Sequence, residues 1–308
     1  MRVLITGGTG FVGSFTAAQF AERGDQVVCF DRRIQPAAGF PAGQPGIAVV
    51  EGDILDRASL DRIIRDHRIE AVAHTAAVIS QTDGAADPER MYRINVEGTL
   101  SVLEAVRTAR LRMVYVSTAT LYGQHPDLHP LTEDARPDPV GIYDTTKLMA
   151  ETLAITYHKV YDLDIVAVRP GYVYGPGNST GGYLLDRAFA GEVIEQSIGA
   201  DLPMDVTYVK DLAYGIYLAM TARPLAHRIF NITGGVLRRR SEVAQLARQL
   251  VPGAQIRLGP GIPSSAHLRG PSDLAQARDE LGYAPRYTLE EGMVDWLAWL
   301  RHQAAARS

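Results

Sequence analysis

Short runs of almost unbroken apolar character punctuate the first half of the chain: "RVLIT" (2–6), "QVVCF" (26–30), "IAVVEGD" (47–53), "EAVAHT" (70–75), "RMVYVS" (112–117) and "DIVAVR" (164–169). They are rich in β-branched residues, bounded by turn formers, and lack strict alternation. That is the pattern of strands covered on both faces. Between them apolar positions recur at helical spacing over 11–23, 56–67, 85–109 and 141–160. Repeated strand–helix–strand units predict an α/β fold built on a doubly wound parallel sheet.

The pattern changes after Arg169. "RPGYVYGPGNSTGG" is dense in glycine and proline and marks a segment that leaves the sheet. Beyond it, 206–220 reads as a helix, 227–235 as a further strand, and 240–250, 272–281 and 288–304 as helices. The last places Leu289, Met293, Trp296, Leu297 and Leu300 on one stripe, so it packs as an amphipathic helix. The pattern divides the chain into a first domain over 1–170, to which 206–233 returns. A smaller, mixed and discontinuous domain then draws mainly on 171–308.

Composition removes alternatives. A net charge of −4 over 308 residues gives no electrostatic case for nucleic acid, and the "RRR" at 238–240 reads as the solvated start of a helix. Cys29 is the only cysteine, which excludes an internal disulfide and a cysteine-built zinc site; in "QVVCF" it reads as a small buried hydrophobe. His125 and His129 in "HPDLHP" share a loop with prolines and suggest no third ligand, so no metal is predicted. No run approaches a membrane span and no signal peptide is recognisable. The expectation is a cytoplasmic enzyme with a small-molecule substrate.

The first strand runs into "GGTGFVG" and then a helix, the order a dinucleotide site requires. Gly7, Gly8 and Gly10 allow a tight turn and close approach to a pyrophosphate, which Phe11 and Val12 of the helix start would meet. Gly13 lets helix and strand pack together. Asp31 ends the second strand at about the 20-residue spacing from which a carboxylate binds the ribose hydroxyls, favouring NAD. Arg32 and Arg33 read either as exposed loop residues or as the guanidinium groups NADP would need. Asp53 could meet the adenine edge together with the backbone of Ile54, or cap the following helix.

Lysine is scarce: only Lys147, Lys159 and Lys210 occur. Lys147 stands four residues after Tyr143, so both project from one helix face. A free phenol with a pKa of about 10 is a poor base at neutral pH. A neighbouring ammonium and a positive nicotinamide lower that value, which makes the pair a candidate acid/base. "VYVSTATLYG" ends at the sheet edge where ligands bind in such folds, and there Ser117 or Thr118 can donate to a reacting oxygen.

Taken together, "GGTGFVG", "EGDILD", "HTAA", "YRINVEGT", "VSTATLYG", "YDTTK", "RPGYVYGPG", "YVKDLA" and "LGYAPRYTLEEG" resemble the extended short-chain dehydrogenase/reductases, the NAD-dependent epimerase/dehydratase family. The resemblance implies a Rossmann domain with a smaller substrate domain, NAD as cofactor, and a homodimer paired through the 85–109 and 141–160 helices. It implies Tyr143 as general acid/base, Lys147 on the nicotinamide ribose, and Thr118 as the catalytic hydroxyl with Ser117 beside it. His74, Ala76 and Ala77 would line the cofactor cleft mainly through backbone, His74 itself being packed, and Pro170 would close its far end. Asn95 would be structural or part of a proton relay.

Two positions depart from members that act on nucleotide sugars. Tyr172 replaces the usual asparagine of "R-x-x-N-V-Y-G-P", and Met204 stands where those members often carry a diphosphate-binding arginine. Arg187, Arg228 or Arg269 are the candidates to compensate. The leading expectation is hydride transfer between NAD and a hydroxyl or carbonyl carbon of a sugar, sugar acid or other small hydroxy substrate. A nucleotide-sugar epimerase with tightly held NAD is the alternative, and a non-catalytic dinucleotide sensor comes third. Ala119 and Thr120, where dehydratases place acids, argue against dehydration.

Overall fold

In the computed structural model, residues 1–32, 43–79, 87–178, 184–264 and 266–307 are described. The apolar runs form β1 (Arg2–Thr6), β2 (Gln26–Asp31), β3 (Ile47–Glu51), β4 (Ala71–His74), β5 (Arg112–Val116) and β6 (Ile165–Pro170). With β10 (Ile229–Ile232) they make a parallel sheet in the order β10-β6-β5-β4-β1-β2-β3. The order grows outward in both directions from β1 and β4, so a crevice opens where their carboxyl ends diverge. This is a Rossmann-type sheet.

The helices close both faces. On one, α1 (Phe11–Ala21) and α7 (Val209–Thr221) bury Phe20, Leu212 and Ile216 against Ile5, Val114 and Phe230. On the other, α2 (Arg57–Asp66), α4 (Gly98–Ala109) and α5 (Ile142–Tyr161) pack Leu60, Ile63, Leu103 and Ala150 against Leu4, Val72 and Tyr115. Buried on both faces, β1, β2, β4, β5 and β6 have no use for polar alternation, which is why their sequence lacks it; the edge strand β3, expected to be covered likewise, has no fully buried residue. Cys29 of β2 lies fully inside this core, where burial pushes its thiol up to about 12.

Helix starts follow local chemistry. The Asp56 side chain accepts from the Ser59 N–H to begin α2, so Asp56, not Asp53, is the cap. Asp87 accepts from the Arg90 N–H to begin α3 (Pro88–Tyr92), which runs through a π turn (Arg93–Glu97) into α4. The helix expected from 85 therefore starts at Pro88; 85 and 86 lie outside the described residues.

The later segments build a second lobe. β7 (Tyr172–Tyr174), β9 (Pro203–Tyr208) and β11 (Leu237–Arg239) form one small sheet, β8 (Ile194–Gln196) and β12 (Ile256–Leu258) another. Around them α6 (Leu184–Phe189), α8 (Arg240–Leu250) and α9 (Leu289–Arg307) bury Leu185, Ala247, Met293 and Trp296. Three expectations need correcting. Val206–Tyr208 are strand, paired with Tyr172–Tyr174, and the helix starts only at Val209. The 272–281 helix begins near 275, because Leu131 bonds the backbone of Pro271 and Asp273 and holds that stretch extended. Arg238 and Arg239 belong to β11, and only Arg240 opens α8. Among the described residues no helix is long and apolar enough to cross a membrane.

Candidate active site

A cleft of about 990 Å³ follows the crevice from the β1–α1 turn to the second lobe. At its first end the turn is as tight as the glycines allow. Gly7 has φ +68°, and a methyl placed on Gly13 would sit 2.0 Å from the Gly7 carbonyl oxygen. No side chain caps α1, so its first-turn N–H groups face the cleft beside Gly10, Phe11 and Val12. Free N–H groups at a helix start, in a cradle that a Cβ would fill, fit a dinucleotide pyrophosphate. Gly13→Ala is expected to cost about 1–3 kcal/mol through overpacking. Calorimetry should show both a lower Tm and weaker NAD binding.

The carboxylate of Asp31 ends β2 on the cleft wall, accepting from the Thr9 hydroxyl at 2.8 Å and the Arg32 N–H at 2.8 Å. Thr9 thus orients the group that would receive the ribose. Arg32 lines the same end, and Arg33 lies outside the described residues. Asp53 and Ile54 form the adjoining wall, with Asp53 accepting from the Leu55 N–H at 2.9 Å. Thr75, Ala76 and Ala77, from the stretch expected to line the cleft, contribute the floor.

His74, expected to be packed, and Asn95, expected to be structural or part of a relay, stand behind the wall. His74 is the last residue of β4 and points into the core, where its ring nitrogens meet the Thr6 hydroxyl at 2.6 Å and the Thr99 hydroxyl at 3.0 Å. Burial and the Lys147 charge hold its pKa down at about 3, so it is a neutral packed histidine. Asn95 is 1% exposed and fully engaged: it accepts from the Val78 N–H at 2.8 Å and donates to the Val78 carbonyl and the Thr146 hydroxyl, each at 3.0 Å. It clamps the cleft wall at Val78 to the helix that carries Tyr143, and both of its N–H donors are spent in doing so. Asn95→Ala would strand two buried backbone groups, at a cost of about 2–4 kcal/mol. Denaturant unfolding should show that loss.

At the far end, β5 runs out into Ser117 and Thr118, and α5 brings Tyr143 and Lys147 to the same wall, with Pro170 beyond. The Lys147 ammonium donates to the Val116 carbonyl at 2.7 Å and lies 4.3 Å from the centre of the Tyr115 ring. Burial pulls its pKa down to about 7, with Glu151 one turn along pulling it back up. Tyr143 moves the other way. Burial and then the neighbouring Asp144 push its phenol above the ordinary value, while the Thr118 hydroxyl opposes them. Protein groups alone therefore keep Tyr143 protonated near neutrality. The Ser117 hydroxyl is 3% exposed and has no protein partner, an orphaned polar atom on the wall where a ligand would meet it.

A buried network sets the wall's geometry. Arg169 holds Glu151 through two hydrogen bonds, at 3.0 and 2.5 Å, and donates to the Tyr122 hydroxyl at 2.8 Å. Tyr122 in turn donates to Asn231 at 2.8 Å. The α5 helix, β6, β10 and the turn after Thr118 are thus pinned by one set of charged and polar side chains.

The family model for the NAD dependent epimerase/dehydratase family matches residues 3–233. The chain belongs to that family. It is therefore an enzyme of the NAD-dependent oxidoreductase type, and its first domain is a dinucleotide site. It is 30% identical to a UDP-glucose 4-epimerase of Neisseria meningitidis serogroup C over 97% of both chains. It is 26% identical to UDP-glucuronic acid decarboxylase 1 of Arabidopsis thaliana, covering 98% of this chain and 70% of that one. Among solved structures it resembles the Thermotoga maritima UDP-glucose 4-epimerase with UDP-glucose, with a TM-score of 0.89 and 25% identity over 99% of this chain and 100% of that one. Family relatives thus catalyse different reactions, and the substrate end has to be read from this chain's own residues.

That end was the least legible. Leu202, Pro263, Ala266 and His267 line it from the second lobe, together with Tyr172, Val173 and Asn178. Of the arginines that might replace the one lost at Met204, Arg187 pairs with Glu192 at 2.7 Å and Arg228 with Asp164 at 2.9 Å. Arg269 is 3% exposed, with its guanidinium 5.1 Å from the centre of the Tyr172 ring, and is not on the cleft wall. Among the described residues lining the cleft, the positive or titratable bases are Arg32, Lys147 and His267 alone.

Proposed function

We propose that the protein transfers hydride between NAD and a hydroxyl or carbonyl carbon of a small sugar, sugar acid or related hydroxy compound. The observation that carries this reading is the convergence of Tyr143, Thr118 and Lys147 on the cleft wall opposite the Asp31 end. A bound NAD supplies the hydride acceptor and a positive ring. Tyr143 takes the substrate hydroxyl proton, Thr118 and the orphaned Ser117 hydroxyl hold the reacting oxygen, and Lys147 orients the ribose and offsets the phenolate. Asp31, held by Thr9, favours NAD over NADP. The small-substrate reading rests on a substrate end whose described lining residues include no arginine, Arg32 lying at the Asp31 end: a nucleoside diphosphate buried there would lack charge-assisted contacts from those residues.

The second reading is a nucleotide-sugar 4-epimerase, supported by the 30% identity to the Neisseria enzyme over nearly the whole chain. In that case the nicotinamide is recycled and stays bound. Two measurements separate the readings: the NAD content of protein purified without added cofactor, and calorimetric titration with UDP and UDP-glucose. Little retained NAD and no heat from either nucleotide is the expected result. Near-stoichiometric NAD together with tight UDP binding would replace the dehydrogenase reading by the epimerase one.

A further inference from the structure

Asp144 follows Tyr143 directly and is 2% exposed. One of its oxygens, Oδ2, accepts from the Gly141 N–H at 3.2 Å at the start of α5. A neutral side chain could cap the helix as well. A carboxylate there has a cost, because it opposes formation of a phenolate on the adjacent tyrosine. The same oxygen lies 3.3 Å from Nε2 of His267, which comes from the second lobe, and both residues line the substrate end of the cleft. His267 is half-buried, with a side chain 21% exposed, and its place depends on the second lobe.

Building on the reading of Tyr143 as the acid/base, we propose that Asp144 and His267 form a charge-compensating pair through which the second lobe sets the proton affinity of Tyr143. With His267 seated, its N–H or full positive charge neutralises Asp144, and the phenol can ionise. With His267 withdrawn, the uncompensated carboxylate keeps the phenol protonated. The pair thereby makes base strength conditional on a closed substrate end. Other groups around Tyr143 are fixed in comparison. Lys147 and Glu151 lie further along α5, Tyr115 faces it from β5, and Thr118 touches it from the following turn. Direct electrostatic influence on the phenol comes from Asp144, which pushes it up.

Phenolate absorbance isolates Tyr143 without needing a substrate. NAD-saturated protein is titrated with base, and the Tyr143→Phe trace is subtracted. Asp144→Asn keeps the capping oxygen and removes the charge, so the Tyr143 midpoint should fall by about one pH unit. His267→Leu should raise it by a smaller amount, and His267→Gln, which retains an N–H donor, should restore most of the shift. In an Asp144→Asn background, His267→Leu should do nothing further. Midpoints equal to wild type in both single variants, or a His267→Leu shift that persists at full size without Asp144, would overturn the pair. Failure of the underlying reading looks different: Tyr143→Phe would then retain turnover, whatever the titrations show.

Discussion

Tyr143→Phe is expected to lower kcat/KM by about 10³-fold, ~4 kcal/mol in transition-state terms, while leaving NAD affinity within about twofold of wild type. The phenol hydroxyl is the only part removed. The ring remains to fill its place on α5, and the contacts proposed for the cofactor lie with Asp31, the glycine turn and Lys147. The pH profile should carry the same signature. Burial and Asp144 push the phenol up, so Tyr143 is a ready acid but a reluctant base near neutrality. Alcohol oxidation should accelerate with rising pH, and carbonyl reduction should not. Steady-state rates in both directions between pH 6 and 10, set beside the variant, test this. A variant that keeps the wild-type slope would remove Tyr143 from the chemistry.

Lys147→Met should separate function from stability more sharply than any other change. On the roles proposed for Lys147 at the ribose and the phenolate, activity should fall by roughly 10²-fold or more. Stability should not fall. The charged form of Lys147 is penalised by burial, with a folded pKa of about 7 against an ordinary 10.5. For a base whose pKa is depressed by folding, the penalty is fully present below the folded value. It fades as pH rises toward the unfolded one. The variant should therefore melt at or above the wild-type temperature at pH 6, and wild type should gain on it steadily between pH 7 and 10. A variant that melts well below wild type at pH 6 would mean that the contacts to Val116 and Tyr115 outweigh desolvation.

What the sequence made legible follows from how local the cause is. The large sheet could be read because β-branched runs such as "RMVYVS" carry their burial in their own composition. The glycine turn and the Tyr143–Lys147 pair could be read because turn geometry and helical spacing act over a few residues. Val206–Tyr208 misled because a β-branched run abuts an amphipathic helix with no turn residue between them, and only the partner Tyr172–Tyr174 reveals the strand. Three-residue strands such as β8 and β12 are too short to show any period. The resemblance implied a packed His74 and a structural or relaying Asn95, but their partners could not be read from sequence. Strand alternation turns His74 inward, and the clamp on Val78 consumes Asn95. The closeness of His267 to Asp144 leaves no sequence trace at all, since it depends on how two lobes meet.

The sheet's outermost strand has a bearing on synthesis. β10 lies beside β6, yet the chain makes β7, α6, β8, β9 and α7 between them. A ribosome must therefore deliver the excursion into the second lobe before the first lobe's sheet can be finished. Until then β6 presents an open edge of unpaired N–H and C=O groups, a template for pairing with another nascent chain. Arg112, at the start of β5, donates to the carbonyls of Ala219 and Ala222 at the end of α7, a latch that can form only once that stretch has emerged. Slow or interrupted translation between residues 170 and 232 should thus be the step at which this protein is most exposed to aggregation, and the point at which a chaperone would have most to shield.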